Sequence, residues 1–349
     1  MNNNKVKKFL SILLVCIMAV SSLVGCSQGS SSDESGNPVS EKPDKVYELK
    51  WGHVSAPSHA YHIAAEKVAK EVFDATNGQV NITIFPSSQL GTQREMTESI
   101  HSGVIDIVNS SSSVLSGFVP RLQVLDLPFI FKDRAHIYKI MDGEIGKEIF
   151  DGVEEAVGPV IAIWDNGIRD LWMKDRVVKT PNDIAGLKLR VMESKAYIRM
   201  AECLGANATP MAYSELYTAL QQGTVDGADG PVPNAYSEKF YEVTPYITLT
   251  EHAYSASPVL VSPFLKDKIG EENYNILIQA IKDNTDYQRE VSETQEKDFS
   301  DLLVKEGVEI YRPTAEERQL FVDSCKPVWD EFADVVGQDL IDKIVAAAE

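Results

Sequence analysis

Apolar and polar residues follow two different periods along the chain, one typical of strands and one typical of helices. Short apolar or alternating runs predict strands at residues 46–51, 80–84, 104–108, 160–164 and 186–191. Segments with helical apolar spacing lie among them, at residues 60–76, 93–102, 135–150, 197–204 and 214–222. Strands separated by helices indicate an α/β protein in which strands pack in parallel.

The C-terminal part of the chain is predicted to be helical. Residues 266–304 contain no proline and one glycine, Gly270, which predicts a helix long enough to cross two domains. Residues 314–348 are again helical, with Pro327 permitting a break. About 300 residues follow the N-terminal leader, a length that suits two lobes. A cleft between two lobes is a favoured position for a small-molecule site.

The N-terminal leader is predicted to lie outside the fold. Three lysines precede an apolar run at residues 9–20, as in a secretory signal peptide. Residues 23–26 read Leu-Val-Gly-Cys and resemble the bacterial lipobox, so we expect residues 1–25 to be removed and Cys26 to be lipidated. Residues 26–45 are rich in Ser, Gly and Pro and predict a flexible tether. The protein is therefore expected on the extracytoplasmic side, anchored to the cell membrane.

Charge narrows the possible partners. The chain has 52 acidic and 33 Lys and Arg residues and a formal net charge of −19. This argues against nucleic acid as a partner and means that an anionic ligand is repelled at long range. Affinity for such a ligand must come from local cations. Arg190, in the run 186–191, and Arg169, just after the run 160–164, are candidates, since a guanidinium fork matches a carboxylate. The alternative is an internal salt bridge.

Other polar residues are weaker candidates for ligand contact. Ser111 and Ser112 follow a predicted strand, where ligands of open α/β sheets bind; a solvated turn is the alternative. Glu95 and Glu193 are expected either to accept hydrogen bonds from ligand hydroxyls or to be solvated. His59 or Tyr61 is expected to contact the ligand at the mouth of the cleft, with a polar loop as the alternative.

Two further classes of protein were weighed against a binding protein. His53, His59 and His62 invite a metal site, but no carboxylate cluster or cysteine completes the ligand set, so no metal or other cofactor is predicted. An exported hydrolase would need a nucleophile beside a base. No Gly-x-Ser-x-Gly motif is present, and Cys203 lies within a predicted helix. Cys203 and Cys325 are expected to be buried free thiols, with one disulfide as the alternative.

Several motifs carry a resemblance to a known family. The segments 186–191 (Gly-Leu-Lys-Leu-Arg-Val) and 204–227, which contains Leu-Tyr-Thr-Ala-Leu-Gln, are similar to the solute-binding proteins of TRAP transporters. Shorter similar segments are 88–91, 124–129, 239–243 and 249–252, and the resemblance covers residues 48 to about 327.

The resemblance implies a fold and a set of partners. It implies an α/β, periplasmic-binding-protein-like fold of two lobes with crossing connections and a long helix spanning both. Lobe I is predicted at 46–165 plus about 256–295, and lobe II at 166–255 plus about 296–349. The implied ligand is an organic acid bound in the cleft by a monomer, which delivers it to a small and a large TRAP membrane subunit.

The resemblance also assigns roles to individual residues. Arg190 matches the carboxylate-binding arginine, Arg169 a second arginine, and Tyr213 an aromatic residue that packs on the ligand; Ser111 and Ser112 match positions that hydrogen-bond the ligand. Where many relatives have Gln-Glu-Asn, this chain has Ala228-Asp229-Gly230, so the amide that contacts the carboxylate is missing. Asp229 is expected to accept from hydroxyls or to pair with an arginine, and Asn234 to replace the amide. This favours a sugar acid such as a uronate over a C4-dicarboxylate.

Overall fold

Residues 45–348 of the computed structural model are described, and they are built on one mixed sheet. The predicted signal peptide, Cys26 and the tether apart from Lys45 lie outside the described residues. The strands are β1 (Tyr47–Gly52), β2 (Val80–Phe85), β3 (Ile107–Asn109), β4 (Val160–Met173), β5 (Lys188–Val191), β6 (Asn207–Pro210), β7 (Gly227–Pro231), β8 (Tyr246–Val261) and β9 (Glu309–Tyr311).

The strand order is β2-β1-β3-β8-β4-β7-β5-β6, and β9 pairs with β8. The prediction of parallel pairing is confirmed within each end of the sheet, where β1 pairs with β2 and β3, and β5 pairs with β6 and β7. It is wrong at the centre. There the long strands β4 and β8 pair antiparallel with each other and join the two parallel groups. These two strands are the crossing connections.

Helices cover the sheet and are mostly those predicted. They are α1 (Ala60–Ala75), α2 (Gln93–His101), α3 (Ser112–Leu115), α4 (Arg134–Met141), α5 (Glu144–Ile149), α6 (Val153–Ala156), α7 (Lys195–Cys203), α8 (Leu216–Gln222), α9 (Val232–Ser237), α10 (Leu265–Ile269), α11 (Glu271–Asp283), α12 (Thr285–Lys305), α13 (Ala315–Val336) and α14 (Gln338–Ala346). Short 3-10 helices are Pro120–Asp126, Pro181–Ile184, Tyr213–Glu215 and Phe240–Glu242.

The single helix predicted at 266–304 is wrong in its length. It is divided into α10, α11 and α12, because Gly270 has a positive φ of 82° and Asn284 caps α11, its side chain donating to the Ala280 carbonyl at 2.9 Å. Helix α12 still runs along both halves of the sheet. Gln288 near its start exchanges two 2.7 Å hydrogen bonds with the backbone of Asp165, and Leu303 near its end packs in the cluster that contains Trp172.

The break predicted near Pro327 lies instead at Gly337. Helix α13 continues through Pro327, with Cys325 and Val328 buried on either side of it, and ends where Gly337 adopts a φ of 95°. Burial of one face therefore outweighs the hydrogen bond that a proline removes from a helix.

The core of the described residues divides into four hydrophobic clusters. Two are built mainly from the segments predicted for lobe I and two from those predicted for lobe II. The segment from Val328 to Ile344 packs with a lobe I cluster, although it was predicted for lobe II. We propose that this segment belongs to lobe I, and that the remaining lobe boundaries are those predicted. Within residues 45–348 no helix combines the length and apolarity that crossing a membrane requires.

Candidate functional site

A small cavity lies where β4, β7 and β8 meet α9 and the loops after β1 and β3. Its volume is about 30 Å³. Apolar walls come from residues such as Trp172 and Met192, and polar walls from residues of both predicted lobes: Ser111, Asn166, Arg169, Asp229, Asn234 and Ser255. The cavity brings together five of the ten predicted ligand contacts: Ser111, Arg169, Tyr213, Asp229 and Asn234.

Arg169 is directed to this cavity by a bulge in β4. The pairing of β4 with β8 shifts register between Asp165 and Gly167, so that one extra residue, Asn166, stands in the strand. Gly167 has a φ of 119°, and a Cβ there would lie 2.8 Å from Pro231. Only glycine allows this close approach and this conformation together. The bulge at Asn166 and the glycine at residue 167 therefore determine where the Arg169 side chain lies.

Asp229 neutralises Arg169. The Arg169 Nε donates to Asp229 Oδ2 at 2.6 Å, and its Nη2 donates to the Asp229 carbonyl at 2.7 Å. His252 Nε2 lies 3.3 Å from the same carboxylate oxygen. Burial alone would raise the pKa of Asp229, but the Arg169 charge and the hydrogen bond with His252 lower that pKa below its usual range. The predicted pairing of Asp229 with an arginine is thus observed.

Arg190 has no such partner. Its side chain is 1% exposed, and its Nε and Nη2 donate only to the Met211 carbonyl, at 3.1 and 2.8 Å. Its Nη1 lies 3.7 Å from the sulfur of Met192. Within residues 45–348 no carboxylate forms an ion pair with it. Burial lowers the pKa of Arg190 to about 10. It does not line the cavity itself but lies behind Met192 and Tyr213, which do.

Gly230 is required by close packing against a neighbouring strand. Trp172 lies directly against Gly230 on the neighbouring strand, and a Cβ at residue 230 would overlap the six-membered ring of the indole. Trp172 is fully buried and its Nε1 has no hydrogen-bond partner. The indole therefore leaves no room for a side chain at residue 230 and brings one available donor to the cavity wall.

Tyr213 and Asn234 are hydrogen-bonded neighbours in the cavity wall. Tyr213 lies in the 3-10 helix before α8, with its ring edge-on to Phe240 at 5.5 Å between ring centroids. Asn234, on α9, donates to the Tyr213 hydroxyl at 3.0 Å. The helix predicted at 214–222 begins later, at Leu216, with no side-chain cap.

The two serines after β3 have different environments. Ser111 lines the cavity, caps α3 by accepting from Val114 N at 3.2 Å, and donates to Gln93 Oε1 at 3.0 Å. Ser112 is buried, its hydroxyl has no partner, and it does not line the cavity. The solvated-turn alternative is wrong for both residues, because α3 and its surroundings bury them.

His59 is buried rather than placed at an open mouth. It caps α1, its Nδ1 accepting from Tyr61 N at 3.2 Å. Burial lowers the pKa of His59 to about 4, and the nearby Asn234 side chain opposes that shift. His53 and His62 hydrogen-bond each other at 3.1 Å. Among residues 45–348 no group of three or more His, Cys, Asp or Glu side chains is arranged to hold a metal ion.

Glu95 and Glu193 are not brought to the cavity. Glu95 is the third residue of α2, where its carboxylate accepts from Thr92 N at 2.8 Å and completes a capping box. This helix cap explains its position without a ligand. Glu193 is exposed, because it follows β5 at a point where the chain turns outward between the buried residues Met192 and Ser194. Both side chains are exposed, which agrees with the solvated alternative of the sequence analysis.

Several wall residues were missed by sequence reasoning. They include Gln93, Asn166, Trp172 and Ser255; Tyr61, which was named together with His59, also lines the cavity. Asn166 lies three residues before Arg169, and the reasoning that selected Arg169 as a ligand contact could have selected it too. The same reasoning could not have selected Trp172. It lies three residues after Arg169, and in a regular strand two residues at that spacing point to opposite faces of the sheet. The two cysteines, Cys203 and Cys325, are free thiols away from the cavity, and Cys203 is half-buried rather than buried.

Fold and cavity together are those of a solute-binding protein: two groups of parallel strands joined by two crossing strands, with a polar, arginine-containing cavity at the crossing. The family model described as bacterial extracellular solute-binding protein, family 7, matches residues 51–334. The chain belongs to this family, and the resemblance to TRAP receptors is confirmed.

Individual relatives agree in sequence and in fold. The 2,3-diketo-L-gulonate-binding periplasmic protein YiaO of Escherichia coli K12 is 33% identical over 296 residues, covering 84% of this chain and 90% of that protein. A succinate-bound TRAP solute-binding protein from Sulfurospirillum deleyianum is 33% identical with a TM-score of 0.83, over 87% and 99% of the two chains. A D-glucuronate-bound protein from Chromohalobacter salexigens is 32% identical with a TM-score of 0.81, over 86% and 99%.

Proposed function

We propose that this chain is the extracytoplasmic receptor of a TRAP transporter for a sugar acid, with a uronate favoured. The observation that carries the proposal is Arg190, a guanidinium that is 1% exposed and compensated only by a carbonyl and a thioether. A buried charge without a counterion is strongly unfavourable. A ligand carboxylate that reaches Arg190 past Met192 and Tyr213 supplies the missing charge.

The charge balance of the site favours one carboxylate over two. Arg169 and Asp229 cancel, since they form a buried ion pair 2.6 Å apart. Arg190 then supplies the single excess positive charge beside the cavity. A second ligand carboxylate would approach Asp229, whose Oδ1 is buried and has no partner. A monocarboxylate therefore fits this site better than succinate.

The free hydrogen-bonding groups favour a ligand with many hydroxyls. Three wall acceptors are buried without a donor: Asp229 Oδ1, Asn234 Oδ1 and Asn166 Oδ1. An unsatisfied buried acceptor costs about 1–3 kcal/mol. Sugar hydroxyls donate to such groups, whereas the methylene groups of succinate cannot. The Trp172 Nε1 and the Tyr213 ring complete the site with a donor and an apolar surface for the carbon skeleton.

Entry of a sugar acid requires the lobes to separate. The cavity of about 30 Å³ has the volume of one water molecule in the liquid, far below that of a six-carbon acid. The bulges in β4 and β8 are the points at which the crossing strands would bend. Closure around the ligand is then favoured because it adds contacts that the open form lacks.

The wider role follows from the leader and the family. We propose that Cys26 carries a lipid anchor, that the monomeric receptor delivers its ligand to a small and a large TRAP membrane subunit, and that it returns the ligand chemically unchanged. A Cys26→Ala chain that stays in the membrane fraction after expression would contradict the anchor. Conversion of the bound acid, detected by mass spectrometry, would contradict a receptor without catalysis.

A C4-dicarboxylate is the second candidate ligand, favoured by the succinate-bound structure at 33% identity. A thermal-shift screen of uronates, aldonates, keto acids and C4-dicarboxylates separates the two. We expect a clear rise in melting temperature with uronates or aldonates and little with succinate. A shift with succinate alone would overturn the sugar-acid assignment, and no shift with any acid would overturn the receptor proposal itself.

A further inference from the structure

A second, larger cavity lies on the other side of the β4–β8 ladder. Its volume is about 300 Å³, within the range of small-molecule sites. We call it the rear pocket and define it by six of its wall residues: Phe129, Phe131, Ile137, Ile168, Tyr254 and Arg318. None of its wall residues lines the cavity described above. Ile168 and Arg169 are consecutive residues of β4 that line the rear pocket and the first cavity respectively, as strand alternation requires.

The walls of the rear pocket combine an apolar surface with unbalanced positive charge. The Arg318 guanidinium stacks 5.1 Å from the centroid of the Phe129 ring and, within residues 45–348, forms no ion pair. Among residues 45–348, Lys132 donates to the Ala348 carbonyl at 3.2 Å. The wall residue Arg134 pairs with Asp165 and Glu296. The acids of the wall are already engaged: Glu251 pairs with Arg312 at 2.6 Å, and Asp133 caps α4. In a chain of net charge −19, free cations at one cavity favour an anionic occupant.

Tyr254 adds an unused polar group to the same wall. The residue is 1% exposed, and its hydroxyl is buried with no hydrogen-bond partner. Phe131 lies edge-on to it, with 6.0 Å between the ring centroids. A buried hydroxyl without a partner carries a cost of about 1–3 kcal/mol that an acceptor on a ligand would relieve.

The backbone of the rear pocket is strained at two wall residues. Phe129 and Glu251 have φ values of 59° and 50°, in a region that residues with a Cβ rarely adopt. Each strained residue is held in place. Phe129 N donates to the His252 carbonyl at 2.7 Å, and Glu251 N donates to Asp170 at 2.9 Å. Such strain persists where a surrounding structure fixes it, and it clusters at ligand sites.

We propose that the rear pocket is a second ligand site, which binds a small organic carboxylate with an apolar, ring-sized body. The carboxylate pairs with Arg318 at the wall, the body packs on Phe129, Phe131 and Ile137, and Tyr254 donates a hydrogen bond. Arg318 is not buried like Arg190, so binding here is weaker and salt-sensitive. The proposal stands on its own residues and does not depend on which acid the first cavity binds.

The test uses the mature protein and phenylacetate as the probe, observed by ligand-detected NMR. Phenylacetamide, which has the same shape without the charge, is the matched ligand. The protein variants are Arg318→Ala in the rear pocket, Arg190→Ala beside the first cavity, and Arg176→Ala as a control, since Arg176 is exposed and pairs with Asp175. Tyr254→Phe removes only the unpaired hydroxyl.

We expect phenylacetate to bind wild type, Arg190→Ala and Arg176→Ala with similar affinity. Arg318→Ala and the change to phenylacetamide should each weaken binding about 10-fold, the effect of roughly 1.4 kcal/mol. Tyr254→Phe should weaken it about 3-fold. The proposal would be overturned if wild type does not bind the probe at about 10 mM, a concentration at which even a very weak site should be occupied. Binding that survives Arg318→Ala but is lost in Arg190→Ala would also overturn it, since the probe would then occupy the first cavity.

Discussion

Two arginines only 21 residues apart show how the surroundings of a residue decide its role. Arg169 is paired with Asp229, so its charge is already balanced inside the protein. Arg190 is equally buried but has only neutral partners. The sequence analysis left both a ligand contact and a salt bridge open for each. The structure assigns the salt bridge to Arg169 and leaves Arg190 as the cation without a counterion.

The role of Asp229 in ligand selection can be tested by Asp229→Asn. The substitution keeps the shape of the side chain but frees the Arg169 charge, so the site gains a second available cation. We expect succinate affinity to rise about 10-fold relative to that of a uronate, roughly 1.4 kcal/mol of selectivity. Calorimetry with both acids on both proteins measures this ratio. An unchanged ratio would show that Asp229 does not set the preference for one carboxylate.

A second buried acid, Asp126, should affect how stability depends on pH. Ser113 and Ser194 donate to its two oxygens at 2.7 and 2.6 Å. Burial raises the pKa of Asp126 to about 7, although both serines oppose the shift. The folded state thus holds this proton up to about pH 7, whereas the unfolded chain releases it near its ordinary value of 3.8. Its contribution to stability must therefore fall as pH rises through this window and be constant above it.

Asp126→Asn removes that dependence while keeping hydrogen bonds to the serines. Relative to wild type, the variant should gain about 2 kcal/mol of unfolding free energy between about pH 5 and about pH 8. Urea denaturation at the two pH values measures the difference. A variant that follows wild type in parallel would show that Asp126 is ionised in the fold.

At the scale of elements, we expect contacts across the predicted cleft to favour its closed form. Glu238, which caps the C-terminal end of α9, accepts a hydrogen bond from Ala56 N in the loop after β1. Gln295 on α12 bonds the loop before α1, accepting from Ala60 N at 3.0 Å and donating to the Ser58 carbonyl at 2.8 Å. By the predicted boundaries Gln295, Ser58 and Ala60 all belong to lobe I, whereas the hydrogen bond between Glu238 and Ala56 joins a lobe II helix to a lobe I loop.

Glu238→Ala tests whether such a contact stabilises closure. Loss of the acceptor should favour opening, so a bound sugar acid should dissociate faster and bind about 3- to 10-fold more weakly, as for one hydrogen bond of about 1 kcal/mol. Stopped-flow measurement of tryptophan fluorescence follows dissociation. Glu238→Gln keeps an acceptor and should stay close to wild type. Equal loss in both variants would indicate that charge, rather than this hydrogen bond, is responsible.

The elements also show which parts of the fold the sequence could predict. Helices and outer strands with regular periods, such as α1 and β2, were predicted nearly to the residue. The crossing strands were not, because buried polar residues such as Asp165 and Arg169 interrupt their apolar pattern and their pairing shifts register at three points. Those irregularities are the features that place the site, so the part of the fold most relevant to function has the weakest local signal.

At the scale of the whole molecule, the family could be predicted from the sequence, but the detailed contacts around the cavity could not. Motifs around Arg190 and in 204–227 were sufficient for the family. The pairing of Asp229 with His252, and the filling of the Gly230 position by Trp172, depend on strands distant in sequence. Glu95 and Glu193 lie away from the cavity for the opposite reason, since helix capping and local exposure decide their positions.

The whole account depends on Arg190, and calorimetry with a uronate on wild type, Arg190→Ala and Arg190→Lys tests it most directly. Melting temperatures without ligand serve as the folding control; we expect Arg190→Ala to be at least as stable as wild type, because it removes an uncompensated buried charge. Wild type should bind the uronate, and Arg190→Ala should bind it more than about 100-fold more weakly. Arg190→Lys should show most of this loss of affinity, since lysine cannot form the two parallel hydrogen bonds of a guanidinium. A folded Arg190→Ala protein that binds the uronate within about 3-fold of wild type would contradict the central claim.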